Sequence, residues 1–160
     1  MKKYLSCFRF CLLLLVYNGT AQDAQLDSLK KVLTLQEGVE KLNTLLAVSY
    51  FSYEYDIKAA HQDALTALDM ARKLKQPKQE KFATSLIGEY HYNINEFLRA
   101  RTYFLQAERI KAPDAEVYNG YNYVLWGSTY RLESQIDSAE YYFSKALPFL
   151  EKGADYEKLH

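Results

Sequence analysis

Residues 123–146 read YVLWGSTYRLESQIDSAEYYFSKA, and the spacing of their small and aromatic side chains decides the fold. Around Ala139, Gly127 stands twelve positions earlier and Tyr130 nine earlier, while Phe143 follows by four and Ala146 by seven. Moving toward the N-terminus, the same spacing recurs around Ala100, with Gly88, His91, Phe104 and Ala107. It recurs again around Ala60, with Val48, Phe51, Ala64 and Ala67. The anchors Ala60, Ala100 and Ala139 are 40 and 39 residues apart. Self-similarity at such a period marks a stack of supersecondary units.

The residue types have a packing logic. Two helices that cross closely need side chains of minimal volume at the crossing, and a Leu there would overpack it by roughly 1–3 kcal/mol. Gly88 and Gly127 are therefore expected to face Ala100 and Ala139 within a pair. Phe104 and Phe143 are expected to fill the wider gap toward the next pair. One pair cannot bury its apolar faces alone, so the pairs must stack. The Leu26, Leu29, Val32 and Leu33 spacing predicts an amphipathic lead helix over 24–35. The helix pairs are predicted at 38–53 with 57–75, 78–93 with 97–111, and 114–132 with 136–151. Asp56, Asn95, Asp114 and Gln135 or Asp137 lie near helix starts, where a side-chain oxygen can accept orphan amide hydrogens.

This spacing resembles the tetratricopeptide repeat, a pattern of about 34 residues running aromatic, Leu-Gly, Tyr, Ala, Phe, Ala, Pro. The third repeat carries it best, with Tyr123, Trp126-Gly127, Tyr130, Ala139, Phe143 and Ala146, and with Ile136 at the slot that opens the second helix. The second has Ile87-Gly88, Phe97, Ala100, Phe104, Ala107 and Pro113, with His91 in place of Tyr and Thr84 in place of the first aromatic. The first is worn, with Ala47-Val48 for Leu-Gly and Ala64 for Phe. The resemblance implies an all-α antiparallel helix-pair solenoid of about three repeats, 41–76, 81–114 and 120–153, within residues 37–153 and preceded by a lead helix in 22–36. Residues 154–160 read as the start of a further helix, and the array is expected to continue beyond them. The longer period predicts an extra turn or a longer loop at Lys75-Gln76-Pro77-Lys78 and Lys111-Ala112-Pro113-Asp114, where Pro would halt one helix.

Composition bounds the function. Hydrophobic residues make up 49% and charged residues 25% of 160, the balance of a globular chain, with 15 Tyr but only 6 Gly and 3 Pro. Lys2 and Lys3, the apolar run Phe10–Val16, and Gly19 and Ala21 as small residues before a cleavage point form a secretory signal peptide over residues 1–21. Arg9 interrupts the apolar run, which is far short of the roughly 20 residues that span a bilayer. An exported protein, periplasmic or extracellular and without an integral membrane span, is expected. Both cysteines, Cys7 and Cys11, fall in that segment, so the mature chain would carry no thiol. It would hold 17 basic against 20 acidic side chains, the wrong sign for a nucleic-acid binder.

No metal, nucleotide or nucleophile motif occurs, so no catalytic residue, cofactor or metal is expected. His91 occupies a Tyr slot and reads as a packing residue, while His61, beside Gln62 and Asp63, reads as solvated. The resemblance also implies a binding groove lined by five positions of each first helix. Carried over, these are Leu42, Leu45, Ser49, Ser52 and Tyr53, then Phe82, Ser85, Glu89, Tyr92 and Asn93, then Tyr121, Val124, Ser128, Arg131 and Leu132. The candidate contacts among them are Ser49, Tyr53, Phe82, Ser85, Glu89, Tyr92, Asn93, Tyr121, Ser128 and Arg131. Aromatics, hydroxyls, an amide and an opposed Glu89 and Arg131 suit an extended peptide. Members of the family that grip a C-terminal carboxylate use Lys and Asn where this chain has Leu45, Ser49, Ser85, Glu89, Val124 and Ser128, so that clamp is not expected. The function implied is a non-enzymatic scaffold that binds a protein or peptide, similar to the sensor-side repeats of bacterial signalling proteins. Self-association through the C-terminal repeat, or service as an enzyme accessory domain, are the alternatives.

Overall fold

The computed structural model describes residue 24, residues 26–112 and residues 115–158, with side chains as far as 151. The expected signal peptide, Pro113 and Asp114 lie outside the described residues. Among the described residues the chain is all-helical and contains no strand. A lead helix, α1 (26–33), is followed by α2 (Gly38–Ser52), α3 (Ile57–Lys73), α4 (Pro77–Asn93), α5 (Phe97–Arg109), α6 (Glu116–Leu132) and α7 (Ile136–Lys158). These bounds follow the predicted ones closely except at the C-terminus, where α7 does not stop near 151. It runs on to Lys158 with Pro148 inside it, so residues 154–158 extend α7 and are not set off as a new helix.

Each helix from α2 onward packs on the next one in the chain, and α2 also touches α4 as α4 touches α6. Among the described residues the backbones of α3 and α5, and of α5 and α7, do not approach one another in this way, though Lys145 of α7 reaches Glu108 of α5. Two apolar clusters result. Leu42, Leu45 and Leu46 of α2 meet Ala64, Ala67 and Leu68 of α3 and Ala83, Leu86 and Ile87 of α4. Ala100 and Phe104 of α5 meet Tyr123 and Trp126 of α6 and Ala146 of α7.

Both glycines lie under an aromatic ring of their own pair, a contact beyond the expected approach to alanine. A Cβ built on Gly88 would lie 2.5 Å from Cε1 of Phe104, and one on Gly127 would lie 2.7 Å from Cε1 of Phe143. The aromatic of the second helix therefore folds over the glycine of its own pair, and Phe104 also reaches the next pair as expected, its ring centre 6.4 Å from that of Trp126. The reason is volume: the ring occupies the space that the missing side chain leaves. Gly127 also approaches Ala139, whose carbonyl oxygen is 3.1 Å from that Cβ position.

The turns differ from the expectation. Pro77 occupies the first turn of α4, where its fixed φ and missing N–H suit a helix start, so it opens α4 and does not halt α3. What ends α3 is Lys75, at φ 54°, with the Gln76 amide donating to the Ala71 carbonyl at 2.9 Å. Asn95 and Ser134 close α4 and α6 the same way, at φ 62° and 60°. Of the predicted caps, Asp56 accepts from the Lys58 and Ala59 amides at 3.1 and 3.0 Å. Asn95 does not cap α5, because its backbone takes the left-handed turn conformation.

Candidate functional site

The face shared by α2, α4 and α6 carries a continuous group of aromatic rings. Phe82 of α4 stacks on Tyr118 of α6, with centroids 4.4 Å apart and planes 13° from parallel. Tyr121, one turn along α6, meets Phe82 edge-on at 6.0 Å. Tyr50 of α2 reaches both, at 6.2 Å from Phe82 and 6.1 Å from Tyr121. Offset and edge-to-face pairs at these distances are favourable beyond the area they bury. Tyr50 is the open end of the group, 44% exposed, while Phe82, Tyr118 and Tyr121 are half-buried.

Two polar groups are set into this face. The Tyr53 hydroxyl donates to the Leu86 carbonyl, tying α2 to α4. The Tyr121 hydroxyl donates to Oε2 of Glu89, tying α6 to α4. Burial raises the carboxyl of Glu89 above the usual range, and the Tyr121 hydrogen bond pulls against that rise. Burial, and then the Glu89 charge, likewise push the Tyr53 and Tyr121 phenols up.

Four predicted contacts, Tyr53, Phe82, Glu89 and Tyr121, are thus brought together. The others are not. Ser49 is fully buried, donating to the Ala60 carbonyl at 2.8 Å. Ser85 is fully buried, donating to the Lys81 carbonyl at 3.2 Å and facing Oδ1 of Asn122 at 3.1 Å. As the protein stands, both hold helices together and offer nothing to a ligand. Leu42, Leu45 and Ser52 are buried as well, because α2 is flanked by both α3 and α4. Tyr92 leans on Phe97 at 6.3 Å, Asn93 and Arg131 are exposed at the ends of α4 and α6, and Ser128 is half-buried on α6. Glu89 and Arg131 form no ion pair.

Tyr50 and Tyr118 were missed as contacts. α4 begins at Pro77 and α6 at Glu116, four residues ahead of the repeats' expected starts at 81 and 120. The long period is therefore an extra helical turn at the front of these first helices, and Tyr118 stands on it. The excess over 34 residues was the signal that could have found it.

Away from this face, His61 is not solvated: it is half-buried and stacks on Tyr90 at 3.8 Å and 11°. Burial, and then the nearby His91, lower its pKa. His91 stacks on Tyr103 at 5.2 Å, with Nδ1 2.8 Å from Glu96, which fits its packing role. Among the described residues no group of three or more His, Cys, Asp or Glu side chains could hold a metal ion, and no helix is long and apolar enough to cross a membrane. No protein-family model, curated protein or solved structure matches this chain.

Proposed function

We propose that this chain is an exported tetratricopeptide-type helix-pair array that binds an extended protein or peptide segment on the face of α2, α4 and α6, without catalysing a reaction. The observation that carries the reading is the aromatic group Tyr50, Phe82, Tyr118 and Tyr121 with the Glu89 carboxylate set into it. Large rings with polar tips lose little entropy on contact and dominate binding surfaces. The helix order supports the repeat reading, since each helix from α2 onward touches its chain neighbours and the first helices of successive pairs meet one another.

The test is a randomised peptide library presented to the purified chain. A Tyr50→Ala/Tyr118→Ala double variant and a Thr66→Ala control on exposed α3 run beside it, with circular dichroism confirming that all three are folded. Enrichment of a defined motif by the wild type and the control, and its loss in the double variant, is the expected result. Equal recovery by a folded double variant overturns the reading.

Self-association is a second reading with its own observation. Ile136, Leu147 and Leu150 lie within about a sixth of a turn of one another on α7 at 100° per residue, and are 54%, 54% and 48% exposed. Sedimentation across a hundredfold range of concentration decides it, because a constant monomer mass excludes it.

A further inference from the structure

α6 sends two tyrosines to two glutamates on different helices. Tyr123 donates to Oε1 of Glu108 on α5 at 2.6 Å, and Tyr121 donates to Glu89 on α4. The first pair has a third member. Nζ of Lys145 is 2.8 Å from the same Glu108 oxygen and lies 4.4 Å from the centre of the Tyr123 ring. A similar trio is built nearby: the Arg101 guanidinium is 2.6 Å from Glu133 and 4.6 Å from the centre of the Tyr130 ring. In each, one cation serves a carboxylate and an aromatic face together, an arrangement that strengthens as water is excluded.

Tyr121 and Glu89 have the acid and the ring but no cation. No Lys, Arg or His among the described residues lies within ion-pair distance of Glu89, although it is more deeply buried than Glu108. Burial raises the Glu89 carboxyl, whereas Glu108 is lowered: burial works to raise it, but bonds from Lys145 and Tyr123 outweigh that. A carboxylate withdrawn from water without a counter-charge is costly. Here it is bonded by Tyr121, whose ring lies 6.1 and 6.0 Å from those of Tyr50 and Phe82, and aromatic faces attract cations.

Taking the face of α2, α4 and α6 as peptide-binding, as the preceding reading has it, we propose that Glu89 with Tyr50, Phe82 and Tyr121 is the site for an arginine side chain of the bound peptide. The guanidinium supplies the missing third member, pairing with the Glu89 carboxylate and lying against the rings. Arginine fits better than lysine because its planar group both stacks on an aromatic face and makes two parallel bonds to a carboxylate.

Two measurements on the full chain test this separately from the peptide reading. In the first, N-acetylarginine methylamide is titrated into protein labelled with carbon-13 at glutamate carboxyls, and its uncharged citrulline counterpart serves as the control. A saturable shift of the Glu89 signal with the arginine compound alone is expected, the signal being assigned by its absence in Glu89→Gln. No shift overturns the arginine site, whatever peptides do. In the second, random-flank peptides with central arginine or central citrulline are compared. Retention about tenfold stronger for arginine, the scale of one charge-assisted pair, is expected in the wild type and lost in Glu89→Gln. Equal retention of the two libraries overturns the site but leaves peptide binding standing. A Glu89 shift with no peptide retained overturns the peptide reading and, with it, the peptide as the arginine's source.

Discussion

The first helix pair and the two that follow solve the same packing problem in opposite ways. In α4–α5 and α6–α7 the first helix contributes Gly88 or Gly127 and the second contributes Phe104 or Phe143, with each ring folded over its glycine. At the equivalent positions of α2–α3 stand Val48 and Ala64, both fully buried. The bulk has moved from the second helix to the first. What looks in sequence like decay of the repeat, a lost glycine and a lost phenylalanine, leaves both positions fully buried with the larger side chain on the first helix. The lesson is that the conserved quantity at a helix crossing is filled volume, not residue type.

The largest expected effect comes from emptying the ring's place. Phe104 is fully buried, so Phe104→Ala leaves a cavity that the α4–α5 crossing cannot close, at a cost of about 3–5 kcal/mol. Val48→Ala in the first pair removes only two methyl groups and should cost about 2 kcal/mol on the scale of lost methylenes plus a small cavity. Urea unfolding of both variants measures this. Equal losses would mean that the Phe104 ring fills no more space at its crossing than the two Val48 methyl groups fill at theirs, and the cavity argument would fail.

A smaller effect tests the exchange directly. Ala64→Phe alone should overpack the first pair by about 1–3 kcal/mol. Adding Val48→Gly recreates the arrangement of the other pairs and should recover part of that loss, as a favourable coupling of at least about 1 kcal/mol in a double-mutant cycle. Additive losses would show that these two positions do not meet in α2–α3.

How much of this was legible follows from which signals are local. Apolar periodicity and turn residues lie within a few positions of one another, so α2 at Gly38–Ser52 and α3 at Ile57–Lys73 fall close to the predicted 38–53 and 57–75. Whether a helix face is open depends on how its neighbours sit, which no local pattern records. Ser49 and Ser85 occupy groove positions by repeat number, yet the Ala60 carbonyl and Asn122 cover them. Tyr121 and Glu89 were both named as candidates, but their mutual hydrogen bond depends on how α4 and α6 meet. His61 looked solvated because its sequence neighbours are polar, while its ring partner, Tyr90, is on the next helix.

The smallest prediction extends the comparison to the turns. Tyr55, Asn95 and Ser134 occupy the same position in the three pairs, five residues before each alanine anchor. In the second and third pairs this residue sits at positive φ, and the next amide reaches back five residues: Glu96 to the His91 carbonyl at 2.8 Å and Gln135 to the Tyr130 carbonyl at 2.9 Å. In the first pair Tyr55 is not at positive φ, and the Asp56 amide reaches back only four, to the Ser52 carbonyl at 2.8 Å. A left-handed backbone strains any residue with a Cβ, so Ser134→Gly should relieve that strain. The gain is expected to be about 0.5 kcal/mol, after the added freedom of the unfolded chain is subtracted. Tyr55→Gly has no such strain to relieve and loses a large side chain, so it should lower stability. Thermal unfolding of the two glycine variants gives shifts of opposite sign if the turns differ as described. Shifts of the same sign would place the first turn in the same class as the other two.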